Sequence, residues 1–255
     1  MIPATVAAVD GPSSATGDDG FAEIGIRAVC LDVDDTLLDH TASARAAMHA
    51  ISGRGDAWSL WQRITDEHAR RVISGELHYS TMHVQRTAAF FAALGMSLER
   101  AETSRREARR LQLMNNGRRL FGDTVPCLEW LLASGLRIAA VTNASGRHQR
   151  RKLAELGLAE YFDTVLIAGE LGVAKPDPVM FHTACDELGV APHEVAHVGD
   201  RLDSDAMGAR DAGLHGVWLN RARRTDVPRD LGVSIIETLG ELPELLVSEL
   251  AMAIA

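Results

Sequence analysis

Short runs of apolar residues recur along the chain and are hydrophobic throughout rather than alternating. Each is about five residues long, which is typical of strands buried on both faces of a sheet. The pattern predicts strands at Ala28–Leu31, Arg137–Thr142, Thr164–Ala168, Val195–Gly199 and Gly216–Leu219.

Helical stretches separate the later runs, and a glycine follows each of them, where a left-handed helix C-terminus is favoured. These stretches and their glycines are Arg147–Leu156 with Gly157, Val179–Leu188 with Gly189, and Ser204–Ala212 with Gly213. Alternation of strands and helices indicates an α/β fold with a doubly wound, Rossmann-like parallel sheet and helices on both faces.

The segment 41–118 lies between the first two predicted strands and contains no strand-like run. Its apolar residues recur at helical spacing, around Trp58 and Trp61 and again around Met82 and Ala89. This spacing favours a group of amphipathic helices. We therefore expect an inserted α-helical cap of about four helices.

Three parts of the chain follow from these patterns. Residues 25–40 and 119–255 are predicted to form the α/β core, and 41–118 the cap. Residues 1–24 are rich in Gly, Ser, Ala and Asp without periodicity and are predicted to be a flexible leader. Within the cap, the arginine cluster Arg105–Arg110 is interpreted as a solvated helix face.

Composition narrows the class of protein. The 255 residues are 46% hydrophobic and 24% charged, which is ordinary for a globular protein. There are 26 Lys and Arg against 35 Asp and Glu, a net charge of −9, which disfavours nucleic acid as the main partner. Only Lys152 and Lys175 are lysines; every other basic residue is arginine.

Cysteine usage and hydropathy point to the compartment. Three widely spaced cysteines, Cys30, Cys127 and Cys185, form no CxxC pair, so neither a disulfide framework nor a thiolate zinc cage is expected. No apolar run approaches the ~20 residues that span a bilayer, and the N-terminus lacks a basic signal-peptide region. These features predict a cytoplasmic protein without a membrane partner.

Carboxylates stand where two of the predicted strands end. Asp32 and Asp34 follow the first run, and Asp200 follows the fourth, with Asp205 close behind. In extended backbone Asp32 and Asp34 point to the same side, ~6.6 Å apart between Cα atoms. Because such a cluster repels itself, a hard divalent cation is implied.

Each of these candidate site residues, taken alone, has an ordinary structural explanation. Thr142 and Asn143, which end the second run, could cap the following helix, and Lys175 could be a surface lysine. Their occurrence together, in order and each at a strand end or beside a helix start, favours a functional site at the carboxyl edge of the sheet.

Four motifs resemble those of the haloacid dehalogenase superfamily. They are DVDDT at 32–36, TN at 142–143, the lysine of KPDP at 175, and GDRLDSD at 199–205. The order and spacing match from about Ile26 to Asn220. The helical insert between the first two motifs resembles the phosphatase branch with an α-helical cap.

The resemblance implies roles for the first and third motifs. Asp32 is expected to be the nucleophile that forms an aspartyl-phosphate. Asp34 is expected to protonate the leaving alcohol and then activate water, which requires a partly protonated carboxyl. Lys175 is expected to be the cation that neutralises the nucleophile and the phosphoryl group.

The resemblance also implies the phosphate and metal ligands. Thr142, Asn143 and Lys175 are expected to bind the phosphoryl oxygens. Mg²⁺ is expected to be held by Asp32, the main-chain carbonyl of Asp34, and Asp200, with support from Asp205 in a second layer.

The same residues also distinguish between branches of this superfamily that catalyse different reactions. Asp34 favours phosphate esters over halides, since a departing halide needs no proton. The cap contains no lysine, which excludes a phosphonatase Schiff base and disfavours a phosphosugar mutase. A catalytically silent phosphometabolite-binding or regulatory protein remains the alternative. The metabolite stays open among sugar phosphates, nucleotides, flavin phosphates and phosphoglycolate.

Arg86 is the candidate cap contact for the rest of the substrate. It lies in an otherwise apolar-rich helical stretch, where a charge is costly without a partner. Trp58 and Trp61, at i and i+3, could also face the substrate, but they could equally form the core of the cap itself.

A further motif at His193–His197 matches H-E-x-x-H. Zinc ligation by this motif requires a helix, whereas Pro192 and the apolar run from Val195 predict a strand. In a strand the two histidines lie ~13 Å apart, too far to share one zinc ion. The metalloprotease interpretation is therefore rejected.

Overall fold

A six-stranded sheet in the order β3-β2-β1-β4-β5-β6 forms the centre of the core. The computed structural model describes residues 25–144, 146–226, 228 and 230–248, and the predicted leader lies outside these residues. Every strand pairing in the sheet is parallel. The strands are β1 (Ala28–Leu31), β2 (Arg137–Thr142), β3 (Thr164–Ile167), β4 (Val195–Gly199), β5 (His215–Leu219) and β6 (Ser234–Ile236).

The predicted fold class is thereby confirmed, and the five predicted strands lie within a residue of the observed ones. Strand β6 was missed because it is only three residues long and pairs with β5 alone at the edge of the sheet. Such an edge strand needs no continuous apolar run, since it is not buried on both faces.

Helices cover both faces of the sheet and form the insert between β1 and β2. The insert contains α1 (His40–Ser52), α2 (Trp58–Ile73), α3 (Tyr79–Ala93) and α4 (Arg100–Asn116). The core contains α5 (Thr124–Ala133), α6 (Gly146–Glu155), α7 (Ala168–Leu171), α8 (Pro178–Leu188), α9 (Gly208–Asp211) and α10 (Leu242–Ser248). Short 3-10 turns lie at Gly55–Ala57, Ala159–Tyr161, Pro192–Glu194 and Leu239–Glu241, and a π-helical turn at Leu202–Met207.

Alternate residues of β1 enter two different apolar layers. Val29 and Leu31 pack on one side with α5 and α10, whereas Ala28 and Cys30 pack on the other with α8. All four residues are fully buried. This two-sided burial explains why β1 is apolar at every position.

The insert has an apolar core of its own. Trp61 packs edge-on against Phe90, with ring centroids 5.2 Å apart, and both are buried with Phe91 and Met48. Trp61 therefore belongs to the core of the insert, which was the alternative to a substrate contact.

The interpretation of Arg105–Arg110 as a solvated face needs correction. Arg105 is exposed, but Glu107 and Arg110 are only 3% exposed. Arg110 donates two hydrogen bonds of 2.8 Å to Glu107, and Thr87 of α3 donates another of 2.7 Å. Charged residues that neutralise each other at i and i+3 can be buried between helices, which charge counting alone does not reveal.

Within the described ranges, no helix is both long and apolar enough to cross a membrane. The three cysteines are buried and free. His193 lies in a 3-10 turn and His197 in β4, so the H-E-x-x-H segment is not helical and the rejection of a zinc motif agrees with the structure.

Gly216 of β5 faces the π-helical turn at very close range. A Cβ at this position would overlap the main-chain carbonyl of Ala206. We expect Gly216→Ala to lower the free energy of unfolding by about 1–3 kcal/mol, because the overlapping atoms are backbone and cannot rotate away. Urea denaturation measures the change.

Gly122→Ala is the matched control, since nothing lies within 4 Å of a Cβ built there. An unfolding midpoint for Gly216→Ala equal to that of Gly122→Ala would contradict the predicted overlap.

Candidate active site

Asp32 stands directly after β1 and is 7% exposed. Lys175 reaches it from the loop before α8, with Nζ 2.8 Å from Asp32 Oδ1. The same ammonium lies 2.8 Å from Asp205 Oδ1 and donates to the carbonyl of Val141 at 2.6 Å. Although burial alone lowers the pKa of a lysine, the two carboxylates outweigh it and raise the pKa of Lys175. A permanent cation therefore lies against Asp32.

The side chains of Asp32, Asp200 and Asp205 lie together and form a carboxylate cluster. Oxygens from the three residues all lie within 4.8 Å of one another. Burial, with repulsion from Asp32 and Asp205, raises the pKa of Asp200 to about 8. Burial also raises the pKa of Asp32 to about 6, although Lys175 partly offsets the rise.

These donors fit a magnesium ion. Mg²⁺ prefers oxygen ligands, and a divalent cation favours the ionised carboxylates that burial and mutual repulsion disfavour. The side chain of Asp34 lies outside the carboxylate cluster, so the expected ligand role of Asp34 rests on its main-chain carbonyl.

Thr36 connects Asp32 to Asp200, a link that the sequence analysis missed. Its hydroxyl donates to Asp32 Oδ2 at 3.2 Å and accepts from the Asp200 main-chain N–H at 3.2 Å. Arg221 donates to the Thr36 carbonyl, and the Trp218 indole donates to the Asp200 carbonyl, each at 2.9 Å. The signal available in the sequence was the threonine that ends DVDDT.

Asp34 is held by residues from two helices. Lys152 Nζ of α6 lies 2.6 Å from Asp34 Oδ1, and His40 Nδ1, at the start of α1, lies 3.3 Å from the same oxygen. Gln149 Nε2 of α6 lies 3.4 Å from Asp34 Oδ2. Burial alone favours the neutral acid, but the bonds from His40 and Lys152 prevail and hold the pKa of Asp34 below its ordinary value.

In the free protein the cationic donors therefore favour the ionised form of Asp34, whereas its expected role as a general acid requires a partly protonated carboxyl. Lys152, Gln149 and His40 had not been assigned to the site. The available signal was the rarity of lysine and the i, i+3 spacing of Gln149 and Lys152 in the helix that follows Thr142 and Asn143.

Thr142 lies beside this arrangement, and the side chain of Asn143 contacts the main chain of Lys175. Thr142 is buried, and its hydroxyl accepts from Gln149 at 3.1 Å. Both ends of the Asn143 side-chain amide bond the main chain of Lys175, at 2.9 and 2.8 Å. The side chain of Asn143 is thus occupied in positioning Lys175, and the expected contact of Asn143 with phosphoryl oxygens stays a prediction.

Arg86 stands apart from these residues, within the insert. Its side chain is 8% exposed and lies 3.5 Å from Glu107 Oε1. Its guanidinium carbon lies 4.5 Å from the centroid of the Trp61 ring. The hypothesis of a substrate contact assumed a charge without a protein partner. That premise is wrong, since Glu107 and Trp61 supply the partners.

An open cavity of about 790 Å³ adjoins the carboxylate cluster at Asp200. The residues that line it include Asp35, Asp200, Arg201, Trp218 and Arg221. A small polar molecule can therefore approach the carboxyl ends of β1, β4 and β5, where open parallel sheets bind ligands.

Comparison with known families agrees with this geometry. Residues 26–213 match the family model described as haloacid dehalogenase-like hydrolase. The chain belongs to this family. Its four motifs supply Asp32, Thr142, Lys175 and Asp200, which the fold brings to one edge of the sheet.

Characterised relatives of this haloacid dehalogenase-like chain are phosphatases. It is 32% identical to phosphoserine phosphatase of Thermus thermophilus over 88% of this chain and 99% of the relative. It is 31% identical to glyceraldehyde 3-phosphate phosphatase of Methanopyrus kandleri over 80% and 89% of the two chains. These relatives confirm the prediction of an enzyme of the phosphatase branch.

A solved structure shares the fold at lower identity. The HAD-hydrolase YfnB of Bacillus subtilis, which was crystallised with magnesium, superposes with a TM-score of 0.74 at 22% identity. The match covers 87% of this chain and 99% of that one. The likeness supports the α/β architecture described above.

Proposed function

We propose that the protein hydrolyses a small phosphate monoester, with Asp32 as nucleophile and Asp34 as general acid and base. The observation that carries the proposal is the placement of Asp32 at the end of β1, beside the Lys175 ammonium and the carboxylates of Asp200 and Asp205. The names of the phosphatase relatives support the same reaction class.

In the first step, an oxygen of Asp32 attacks phosphorus and the bond from phosphorus to the leaving oxygen breaks. The product is an aspartyl-phosphate on Asp32. Lys175 already touches Asp32, so its positive charge offsets the negative charge that gathers there. The Thr142 hydroxyl, at the end of β2, is the proposed donor to a phosphoryl oxygen.

Asp34 serves the proton transfers of both steps. The negative charge of a bound phosphate favours the neutral carboxyl nearby, which allows Asp34 to protonate the leaving oxygen. In the second step the ionised Asp34 accepts a proton from water, which attacks phosphorus and releases Asp32. The lowered pKa of Asp34 in the free protein means that its carboxyl is ionised before substrate binds.

Mg²⁺ is the proposed cofactor, held by Asp32, Asp200 and the main-chain carbonyl of Asp34, with Asp205 in support. When bound, the ion supplies positive charge that lets the anionic nucleophile and the anionic phosphate meet. Asp205 contributes through the Lys175 ammonium, which it shares with Asp32.

The proposal extends to the organisation of the protein. Segment 41–118 is proposed to be the cap that selects the substrate, and 25–40 with 119–255 the catalytic core. The proposed partner is a small phosphorylated metabolite, in the cytoplasm, with neither nucleic acid nor membrane as a partner. The net charge of −9 supports the exclusion of polyanions.

The test of the function is hydrolysis of p-nitrophenyl phosphate by purified protein, with and without Mg²⁺. A panel of sugar phosphates, nucleotides, flavin phosphates and phosphoglycolate then identifies the metabolite. Binding of a panel member without any release of phosphate would support the silent regulatory alternative. Isomerisation of a sugar phosphate without phosphate release would support a mutase.

We expect Arg86→Ala to weaken the insert rather than one substrate contact. Loss of the guanidinium removes a partner of the buried Glu107 and exposes the face of Trp61. The free energy of unfolding should fall by about 1–3 kcal/mol, and kcat/KM should change equally for the best metabolite and for p-nitrophenyl phosphate. Thermal unfolding and parallel kinetics measure both.

Arg105→Ala is the matched control, because Arg105 is exposed and, among the described residues, pairs only with Glu102. A selective loss of kcat/KM on the metabolite with Arg86→Ala, at unchanged stability, would restore the substrate-contact hypothesis.

A further inference from the structure

We propose that Lys152, supported by Gln149, is the positioning residue for Asp34 and thereby controls protonation of the leaving group. The inference rests on the proposed function, in which Asp34 is the general acid and base. It assigns a task in the reaction to helix α6, from which the four family motifs take no residue.

The contacts of Lys152 point to a single purpose. Its side chain is 5% exposed, and its Nζ lies 2.6 Å from Asp34 Oδ1. Burying an ammonium is costly unless a charged partner compensates it. The described contacts of Lys152 supply one carboxylate partner, Asp34.

Other basic residues of α6 show the contrast. Arg150 and Arg151 have side chains 54% and 73% exposed, and they pair with Glu170 and Glu155 at the surface. Such exposed pairs contribute little to stability. Lys152 alone among these three neighbours turns its charge into the site.

The distribution of lysine supports the same conclusion. Of 26 basic residues, only Lys152 and Lys175 are lysines. Lys175 contacts Asp32 at 2.8 Å, and Lys152 contacts Asp34 at 2.6 Å. Each proposed reacting carboxylate therefore has its own lysine. The compact ammonium is a point charge that fits a small buried site better than a planar guanidinium does.

Gln149 links the Asp34 carboxylate to Thr142, the proposed donor to a phosphoryl oxygen. It lies one helical turn before Lys152, on the same face of α6. Its Nε2 is 3.4 Å from Asp34 Oδ2 and 3.1 Å from the Thr142 hydroxyl. One helix face thus engages both oxygens of the Asp34 carboxylate and the hydroxyl at the end of β2.

A carboxylate held in this way has a restricted orientation, which is what proton transfer to a leaving oxygen requires. Protonation matters most when the leaving alcohol is a strong base, as with an alkyl phosphate. It matters least for p-nitrophenyl phosphate, whose leaving group departs readily as an anion. Loss of Lys152 should therefore penalise the two substrates unequally.

The experiment compares Lys152→Met with the wild type on p-nitrophenyl phosphate and on the best alkyl phosphate of the panel. We expect kcat/KM on the alkyl phosphate to fall about 10- to 100-fold further than on the aryl phosphate, the effect of one charge-assisted hydrogen bond. Lys152→Arg should recover part of the selective loss. In an Asp34→Asn background, Lys152→Met should add no further selective loss.

Arg151→Met is the matched control, since it removes a neighbouring cation of α6 that does not touch Asp34. Gln149→Leu gives a second variant with the same expected direction, and it decides the matter should Lys152→Met fail to fold. Equal losses on both substrates, or an undiminished effect of Lys152→Met without Asp34, would overturn the positioning role. Failure of the proposed function itself is distinguishable, because the wild type would then hydrolyse neither substrate.

Discussion

Asp32→Asn is expected to reduce hydrolysis of every phosphate monoester by at least ~10³-fold, the scale seen when a nucleophile is removed. A carboxamide has no anionic oxygen with which to form the aspartyl-phosphate. The fold should survive, because the substitution removes charge from a buried group in which carboxylates repel one another. Steady-state kinetics on p-nitrophenyl phosphate measures the loss, and circular dichroism checks the fold.

Asp203→Asn is the control for this substitution. Asp203 belongs to the same GDRLDSD segment as Asp200, but its side chain is 72% exposed and pairs with Arg201. It should retain most of the wild-type kcat. Turnover by Asp32→Asn above a few per cent of the wild-type rate would refute Asp32 as the nucleophile.

Removal of divalent cations by EDTA is expected to reduce hydrolysis by ~10²-fold or more, and Mg²⁺ should restore it. The reason is the group of Asp32, Asp200 and Asp205, whose oxygens lie within 4.8 Å of one another. Excess Ca²⁺ should inhibit, because it accepts more ligands at longer distances than Mg²⁺ does.

A second measurement makes this prediction independent of turnover. Mg²⁺ should raise the Tm of the EDTA-treated protein, since a ligand that binds only the folded state stabilises it. Asp200→Asn should abolish that rise, whereas Asp203→Asn should preserve it. Full activity after EDTA treatment, or a Tm indifferent to Mg²⁺, would argue against a magnesium site.

The sequence by itself determined five of the six strands and the family. Strands β1 and β4 are buried on both faces, so their apolar runs identify them without knowledge of their neighbours. The C-terminal glycines of three helices were equally visible, and Gly157, Gly189 and Gly213 all have positive φ. Because parallel strands place their carboxyl ends on one edge, the meeting of Asp32 with Asp200 could also be predicted, and the family resemblance implied that Lys175 joins them.

Only the tertiary structure decided the partners of individual side chains. Lys152 meets Asp34 across 118 positions of sequence, and the contact depends on how α6 docks on the sheet. Asn143 turned out to hold the backbone of Lys175, and Arg86 to pair with Glu107. Hydrophobic periodicity shows which face of a helix is buried, but it does not show which charged group on another element that face will meet. That choice follows from the packing of whole helices, so the orientation of the Asp34 carboxylate is a property of the assembled fold.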